Sequence, residues 1–217
     1  LRMVALVDVG LGPLMTLILY RKNKPGLKFD LAVIASVQMV ALCYGVWVLH
    51  SQKPTLTVFS DGMFVCLNSS QVSFAGADVS RFDDDRFTVP VAVLPELTQT
   101  QLMEWQERQK TLPENYPKHP AYVYGKQLTE YGPKSYPSIV EQEWDLTHQL
   151  ELSADARAEW AAYQGKYGTD AGHAFFVLTC GRHQYMVAMN PLTGELVDAL
   201  DIPFINARQK KNVKPSK

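Results

Sequence analysis

Cysteine is scarce in this chain, with three residues among 217, and the sequence has no CxxC pair, so a thioredoxin-type redox site is unsupported. The sequence also lacks the GxSxG, Walker A, GxGxxG and HExxH motifs of common enzyme classes. Cys180 and His183 have a ligand-like spacing, but two residues in a turn make no zinc site without further ligands. We therefore expect no catalytic residue, no cofactor and no metal.

The chain as a whole has no large net charge of either sign. Its net charge is −1, and charged residues make up 20% of the chain. The average hides three regions: residues 1–49 carry a net charge of +3, residues 50–207 carry −9, and the last ten residues carry +5. Nucleic-acid binding needs a concentrated positive surface, which the bulk of the chain does not have. The pattern predicts an apolar N-terminal region, an acidic body, a basic flexible tail at 207–217, and no nucleic-acid partner.

No charged residue occurs between Leu31 and Leu49. A helix of this length extends about 28 Å, close to the hydrocarbon thickness of a bilayer. A buried core helix is the alternative, although soluble helices rarely run so far without a polar face. Residues 3–20 are apolar apart from Asp8 and give a second candidate span. We therefore predict a transmembrane helical hairpin in residues 1–50, with spans at about 3–20 and about 30–49.

Four basic residues crowd the short loop between the two predicted spans, around Pro25-Gly26. The positive-inside rule places such a loop in the cytoplasm. Everything after Leu49 is then predicted to lie outside the cytoplasm, in the periplasm of a Gram-negative bacterium. The sequence starts at Leu1 rather than at methionine, so we expect the chain to be processed, trimmed or part of a longer one.

Asp8 is unusual, because a carboxylate inside a span costs a few kcal/mol unless it finds a partner. Asp8 is expected either to hold the helices of this protein together or to be hydrated near the outer interface. Gly12 and Pro13 follow it and loosen the helix. In the second predicted span, Ala41 and Gly45 stand four residues apart, a spacing of small residues that suits close helix packing.

The body, residues 54–206, is predicted to be an α+β domain with an antiparallel sheet and two or three helices. Asp61-Gly62 is the turn of a β-hairpin, and three short strands from Ala174 to Leu200 form a meander. Thr98 with Gln101 forms a capping-box pattern that opens a helix ending near Leu112.

The body also contains two cysteines, Cys66 and Cys180. In an oxidising compartment they either form a disulfide or remain as two buried thiols. Residues 113–137 are rich in proline and tyrosine and form either a packed loop or a loop that faces a partner. The tyrosines concerned are Tyr116, Tyr122, Tyr124, Tyr131 and Tyr136.

A family resemblance covers the stretch from Val7 to Leu49. It is carried by Val7-Asp8, by Leu11-Gly12-Pro13-Leu14, by the KxGLKFDL loop, by Gln38, and by Ala41-Leu42 with Tyr44-Gly45. This region resembles the membrane region of type IV pilin accessory proteins, and the body resembles the family only in outline. The resemblance implies an inner-membrane assembly factor without catalytic activity. Members of that family usually have one more N-terminal span, so the resemblance also implies a further upstream span that is missing from this chain, which fits Leu1 in place of methionine. Residues Asp8, Gly12, Pro13, Gln38, Ala41 and Gly45 are then expected to pack helices or contact the partner.

The function that this resemblance implies is that of a chaperone for its cognate pilin before or during pilus polymerisation. Its expected partners are the major type IV pilin, through the pilin's apolar helix and its globular head, and the lipid of the inner membrane. Two alternatives stay open. One is a membrane-anchored envelope enzyme, hydrolase-like, whose site is built from distant residues. The other is a periplasmic sensor or scaffold unrelated to pili. The sequence does not indicate an oligomeric state.

Overall fold

A computed structural model describes residues 27–112, 118–181 and 183–202 of the chain. The chain divides into two compact units, Leu1–Lys53 and Pro54–Lys217. In the first unit, helix α1 spans Leu27–Ser51. It begins directly after Pro25-Gly26, a pair that favours a turn rather than a helix.

The structure corrects the prediction of a transmembrane hairpin. The first predicted span, residues 3–20, lies outside the described residues. α1 contains the second, yet among the residues described no helix combines the length and the apolar character that crossing a membrane demands. The charge-free run in α1 is bounded by Asp30 and His50 and includes Ser36 and Gln38. That run is at the short end of the roughly 20 predominantly apolar residues that a span needs.

The second unit is built on a mixed β-sheet. Within the described residues its strands are β1 (Pro54–Ser60), β2 (Met63–Asn68), β3 (Val91–Val93), β4 (Thr129–Glu130), β5 (Ala174–Cys180), β6 (His183–Met189) and β7 (Leu196–Leu200). Their spatial order is β4-β3-β1-β2-β5-β6-β7. The short β4 and the longer β7 are therefore the two edge strands.

The predicted hairpin of β1 and β2 is confirmed. Asp61 and Gly62 at its turn have φ angles of +53° and +72°, the pair of positive angles that a type I′ turn requires. Two distant side chains fix the turn further: Gln142 Oε1 accepts from the Gly62 N–H at 3.0 Å, and Trp144 Nε1 donates to the Gly62 carbonyl at 2.7 Å.

The sheet is not the purely antiparallel one that was predicted. β1 pairs in parallel with β3, and β2 pairs in parallel with β5, in a register that sets Met63 opposite Val177. The predicted meander of β5, β6 and β7 is antiparallel and is confirmed. Parallel neighbours require a long crossover connection. The pairing of β2 with β5 therefore joins segments far apart in sequence, and no local pattern announces it.

The described part of the second unit has more helices than the two or three predicted. They are α2 (Ser69–Ala75), α3 (Gln99–Thr111), α4 (Tyr136–Val140), α5 (Thr147–Leu152) and α6 (Ala154–Tyr167). α2, α4 and α5 have seven residues or fewer, too short for a clear helical period. The capping box at α3 is confirmed, since Thr98 and Gln101 each accept the other's backbone N–H.

Both faces of the central strands are buried, which explains why apolar residues follow one another along β1 and β2. One face carries Leu56, Val58, Val65 and Leu67, which pack with residues of α2 and with Trp105 of α3. On the same face of the other half of the sheet, Val177, Met186 and Leu200 pack against residues of α6. The opposite face holds three phenylalanines in edge-to-face contact, Phe59, Phe64 and Phe176.

Candidate functional site

The most unusual surface in the described residues is that of α1, whose exposed side chains are mostly apolar. Trp47 is 63% exposed and Val40 is 69% exposed. The other large exposed apolar residues of α1 are Phe29, Val33, Val37, Met39, Leu42, Tyr44, Val46 and Leu49. At 100° per residue these positions lie around the whole helix. Contiguous exposed apolar surface of this kind marks a region that binds another apolar surface.

Three of the predicted partner residues lie on one face of α1. Gln38, Ala41 and Gly45 follow the i, i+3, i+7 spacing of neighbours on a helix surface, and all three are exposed. A Cβ atom built at Gly45 meets no atom within 4 Å apart from the neighbouring backbone of its own helix. This face is therefore open to the close approach of a second helix. Asp8, Gly12 and Pro13 lie outside the described residues.

The structure brings Cys66 and Cys180 together in a disulfide. Cys66 lies in β2, directly after the residues that pair with β5, and Cys180 is the last residue of β5. The parallel register sets Val65 opposite Thr179, so the two cysteines come next to each other with a Cα–Cα distance of 4.8 Å. The bond therefore links β2 covalently to β5, its neighbour in the middle of the sheet. The remaining cysteine, Cys43, is free and exposed on α1.

The tyrosines predicted to face a partner are buried wherever the structure describes them. Tyr122, Tyr124, Tyr131 and Tyr136 are 3%, 8%, 6% and 3% exposed, and Tyr116 lies outside the described residues. These tyrosines can be buried in the core because each hydroxyl group has a hydrogen-bond partner inside the fold.

These partners are mostly backbone carbonyl groups. Tyr122 donates to the Cys66 carbonyl at 3.4 Å, Tyr124 to that of Gln101 at 3.1 Å, and Tyr131 to that of Gly194 at 2.7 Å. The Tyr136 hydroxyl accepts from Arg86 Nη1 at 3.1 Å. The prediction of a partner-facing loop is therefore corrected for these four residues, and the alternative of a packed loop describes them.

A cleft of about 1030 Å³ opens at the carboxyl ends of β1 and β3. Ser60, the α3 residue Gln99 and Ser138 of α4 line it. Its charged residues have both signs: Arg81 and Lys134 stand with Asp61, Glu96 and Glu130. Such a lining does not select an anion or a cation. No group of three histidine, cysteine, aspartate or glutamate residues that could hold a metal ion occurs among the described residues.

His119 lies beside this cleft, next to the lining residue Pro120, and no motif in the sequence marks it. Burial lowers the pKa of His119 to about 4, although the nearby Asp61 carboxylate acts in the opposite direction. Its Nδ1 accepts the Ala121 N–H at 3.3 Å, while its buried Nε2 has no hydrogen-bond partner among the described residues. The ring is therefore held in its neutral form at pH 7.

The neutral His119 makes stability depend on pH. The unfolded chain binds a proton at this residue near pH 6.5, whereas the folded chain resists it until about pH 4. Unfolding therefore takes up a proton between these values, so the free energy of unfolding falls as the pH drops from 6.5 to 4, by about 3 kcal/mol from this residue. His119→Asn keeps an acceptor for the Ala121 N–H and should flatten the dependence in urea unfolding at pH 7, 5.5 and 4.5.

The exposed His183 provides the matched control for this experiment. His183→Asn should leave the pH dependence of the unchanged chain intact. Equal slopes for the unchanged chain and for His119→Asn would contradict the role assigned to His119.

No family model, no curated protein and no solved structure matches this chain. Its function is therefore inferred from its own residues. The pair Cys180 and His183 offers no zinc thiolate, because Cys180 is bonded to Cys66. Among the described residues, the apolar surface of α1 remains as a candidate site, and its side chains offer van der Waals contact to another apolar surface.

Proposed function

We propose that this chain is an accessory protein of type IV pilus biogenesis, which binds the major pilin and stabilises or presents it during assembly. The observation that carries the proposal is the exposed apolar surface of α1, with Trp47 and Val40 more than half exposed. Apolar surface of this extent is favourable only when it is covered, at about 25 cal/mol for each Å² removed from water. The apolar helix of a pilin is a partner that covers it.

The proposed contact on α1 is the face that carries Gln38, Ala41 and Gly45. Small side chains let two helix backbones approach closely, which strengthens van der Waals contact along the helices. The open space around Gly45 supports this choice, since no atom occupies the position of its absent Cβ. Gln38 lies on the same face and supplies an amide that hydrogen-bonds to a polar group of the partner.

The proposed location is the periplasmic side of the bacterial inner membrane. Disulfides form and persist in oxidising compartments such as the periplasm and are rare in the cytosol. The bond between Cys66 and Cys180 supports a body that works outside the cytoplasm.

Co-purification of pilin with the full chain tests the proposal. Gly45→Leu fills the open face and should lower the amount of pilin recovered, normalised to the accessory chain, by about tenfold or more, which is a loss of about 1.4 kcal/mol. The substitution does not weaken α1 itself, because leucine has a higher helix propensity than glycine.

Cys43→Leu is the matched control, because Cys43 lies on α1 two residues from Gly45, about 160° around the helix from it. It adds apolar volume to the same helix and should leave pilin recovery unchanged. If Gly45→Leu recovers as much pilin as Cys43→Leu, the proposed contact on α1 is wrong. If the unchanged chain recovers no pilin, the proposed function itself is wrong, and a sensor or scaffold unrelated to pili becomes the better interpretation.

A further inference from the structure

The outer side of β7 is an edge at which a sheet can add another strand. Among the described residues no strand pairs with this side, since β7 pairs only with β6. The opposite edge, β4, has only two residues. An exposed edge presents unpaired N–H and C=O groups to any strand that approaches, including that of another copy. β7 is therefore the edge whose backbone needs protection.

Side chains of this chain bind three backbone groups of β7 and the residue after it. The Asp198 carboxylate accepts the Ala199 N–H at 2.9 Å, so this N–H points away from β6. The Tyr167 hydroxyl donates to the Val197 carbonyl at 3.5 Å, and Glu159 Oε1 accepts the Asp201 N–H at 3.5 Å. Groups that would pair with an added strand thus already have partners.

Helix α6 supplies two of these three side chains, Glu159 and Tyr167. It also holds the third in place, because Lys166 Nζ lies 2.9 Å from Asp198 Oδ2. The hydrogen bond from Lys166 keeps the pKa of Asp198 below its usual value, so the carboxylate stays charged as an acceptor. Side chains of α6 therefore bind the outward backbone groups at the β7 edge and hold the Asp198 carboxylate in place.

Two further features of the edge oppose strand addition. The pairing of β7 with β6 changes register between Ala188 and Met189 of β6. A bulge of this kind twists an edge strand, so a flat strand from another molecule pairs with it less well. Asp198 in β7 and Asp201 after its end place two carboxyl groups at this edge. If β7 of a second copy paired with it antiparallel around Ala199, the Asp198 carboxylates of the two copies would be diagonal neighbours across the junction.

We propose that α6 and Asp198 form a guard that prevents a second copy of this chain from adding to the sheet through β7. The guard works by occupying the outward backbone groups and by keeping carboxylates at the edge. It is independent of the proposed pilin contact, which lies on α1. It implies that the body does not contact other proteins by adding a strand to β7.

The guard is tested in the full chain with a triple variant, Glu159→Ala, Tyr167→Phe and Asp198→Ala. Sedimentation equilibrium should show self-association at a concentration about tenfold or more below that of the unchanged chain. The matched control is Glu104→Ala with Asp170→Ala, which removes two exposed carboxylates elsewhere and should associate like the unchanged chain.

Amide hydrogen exchange of the single variants keeps the proposal testable if the triple variant does not fold. Asp198→Ala should speed exchange of the Ala199 amide by about tenfold, the effect of losing one hydrogen bond to a charged acceptor. Glu159→Ala should act in the same way on the Asp201 amide. Unchanged exchange at both amides overturns the proposal. So does a folded triple variant that associates no more readily than the unchanged chain.

Discussion

Replacing both Cys66 and Cys180 by serine should lower the free energy of unfolding of the body by about 4 kcal/mol. The two residues are 114 positions apart, so the bond removes a large loop-closure entropy from the unfolded chain. In the chain-entropy description a closed loop of this length is worth about 4–5 kcal/mol. Urea unfolding followed by tryptophan fluorescence measures the loss, since Trp105 is buried in the core of the body.

Cys43→Ser provides the matched control for the disulfide, because Cys43 is free and lies on α1. This variant should unfold at the same urea concentration as the unchanged chain. A reducing agent should destabilise the unchanged chain as much as the double substitution does and should leave the double variant unaffected. A loss below about 1 kcal/mol would show that the bond does not constrain the unfolded chain as the model of loop closure requires.

Gly194→Ala should lower the free energy of unfolding by about 3 kcal/mol. Gly194 has φ of +69° in the turn between β6 and β7, a conformation that costs a residue with a Cβ about 1–2 kcal/mol. The added methyl group also overlaps with the ring of Tyr136, and overpacking of this kind costs about 1–3 kcal/mol. The ring cannot move aside without loss, because it packs against Tyr131 and accepts a hydrogen bond from Arg86.

The same change at Gly165 should have the opposite sign. Gly165 lies in α6, and an added Cβ meets no atom within 4 Å apart from the neighbouring backbone of its own helix. Alanine there should raise the free energy of unfolding by about 0.5–1 kcal/mol, because alanine forms helices more readily than glycine. Urea unfolding of the two variants side by side measures both effects. If Gly194→Ala does not lower the midpoint, the account of the β6–β7 turn is wrong, and if Gly165→Ala does not raise it, the account of α6 is wrong.

The parts of the fold that the sequence predicts correctly are those whose cause is local. Asp61-Gly62 carries its own turn geometry, and Thr98 with Gln101 carries its own cap. The parallel pairings of β1 with β3 and of β2 with β5 were missed. Such pairings depend on which strands meet after long connections, and a strand buried on both faces gives the same apolar run whatever its neighbour.

The candidate functional residues also divide into those that the sequence predicts and those that only the structure can place. The apolar face with Ala41 and Gly45 follows from helical spacing and could be named before the structure. The tyrosines at 122, 124, 131 and 136 could not be placed, because one sequence pattern suits both a packed loop and an exposed one. Only the tertiary contacts of their hydroxyl groups show that they belong to the core. The sequence gives no signal for His119, because burial, not sequence context, lowers its pKa.

The parallel pairing of β2 with β5 also sets the order of events during synthesis. β1 and β2 can form their hairpin early, but β2 finds its other neighbour only when residues 177–179 have emerged. Contacts between segments so far apart slow the folding of a chain, since the intervening loop must close first. Until then the side of β2 that faces β5 has no pairing strand. The nascent body therefore passes through a long stage in which its incomplete sheet is prone to associate with other chains.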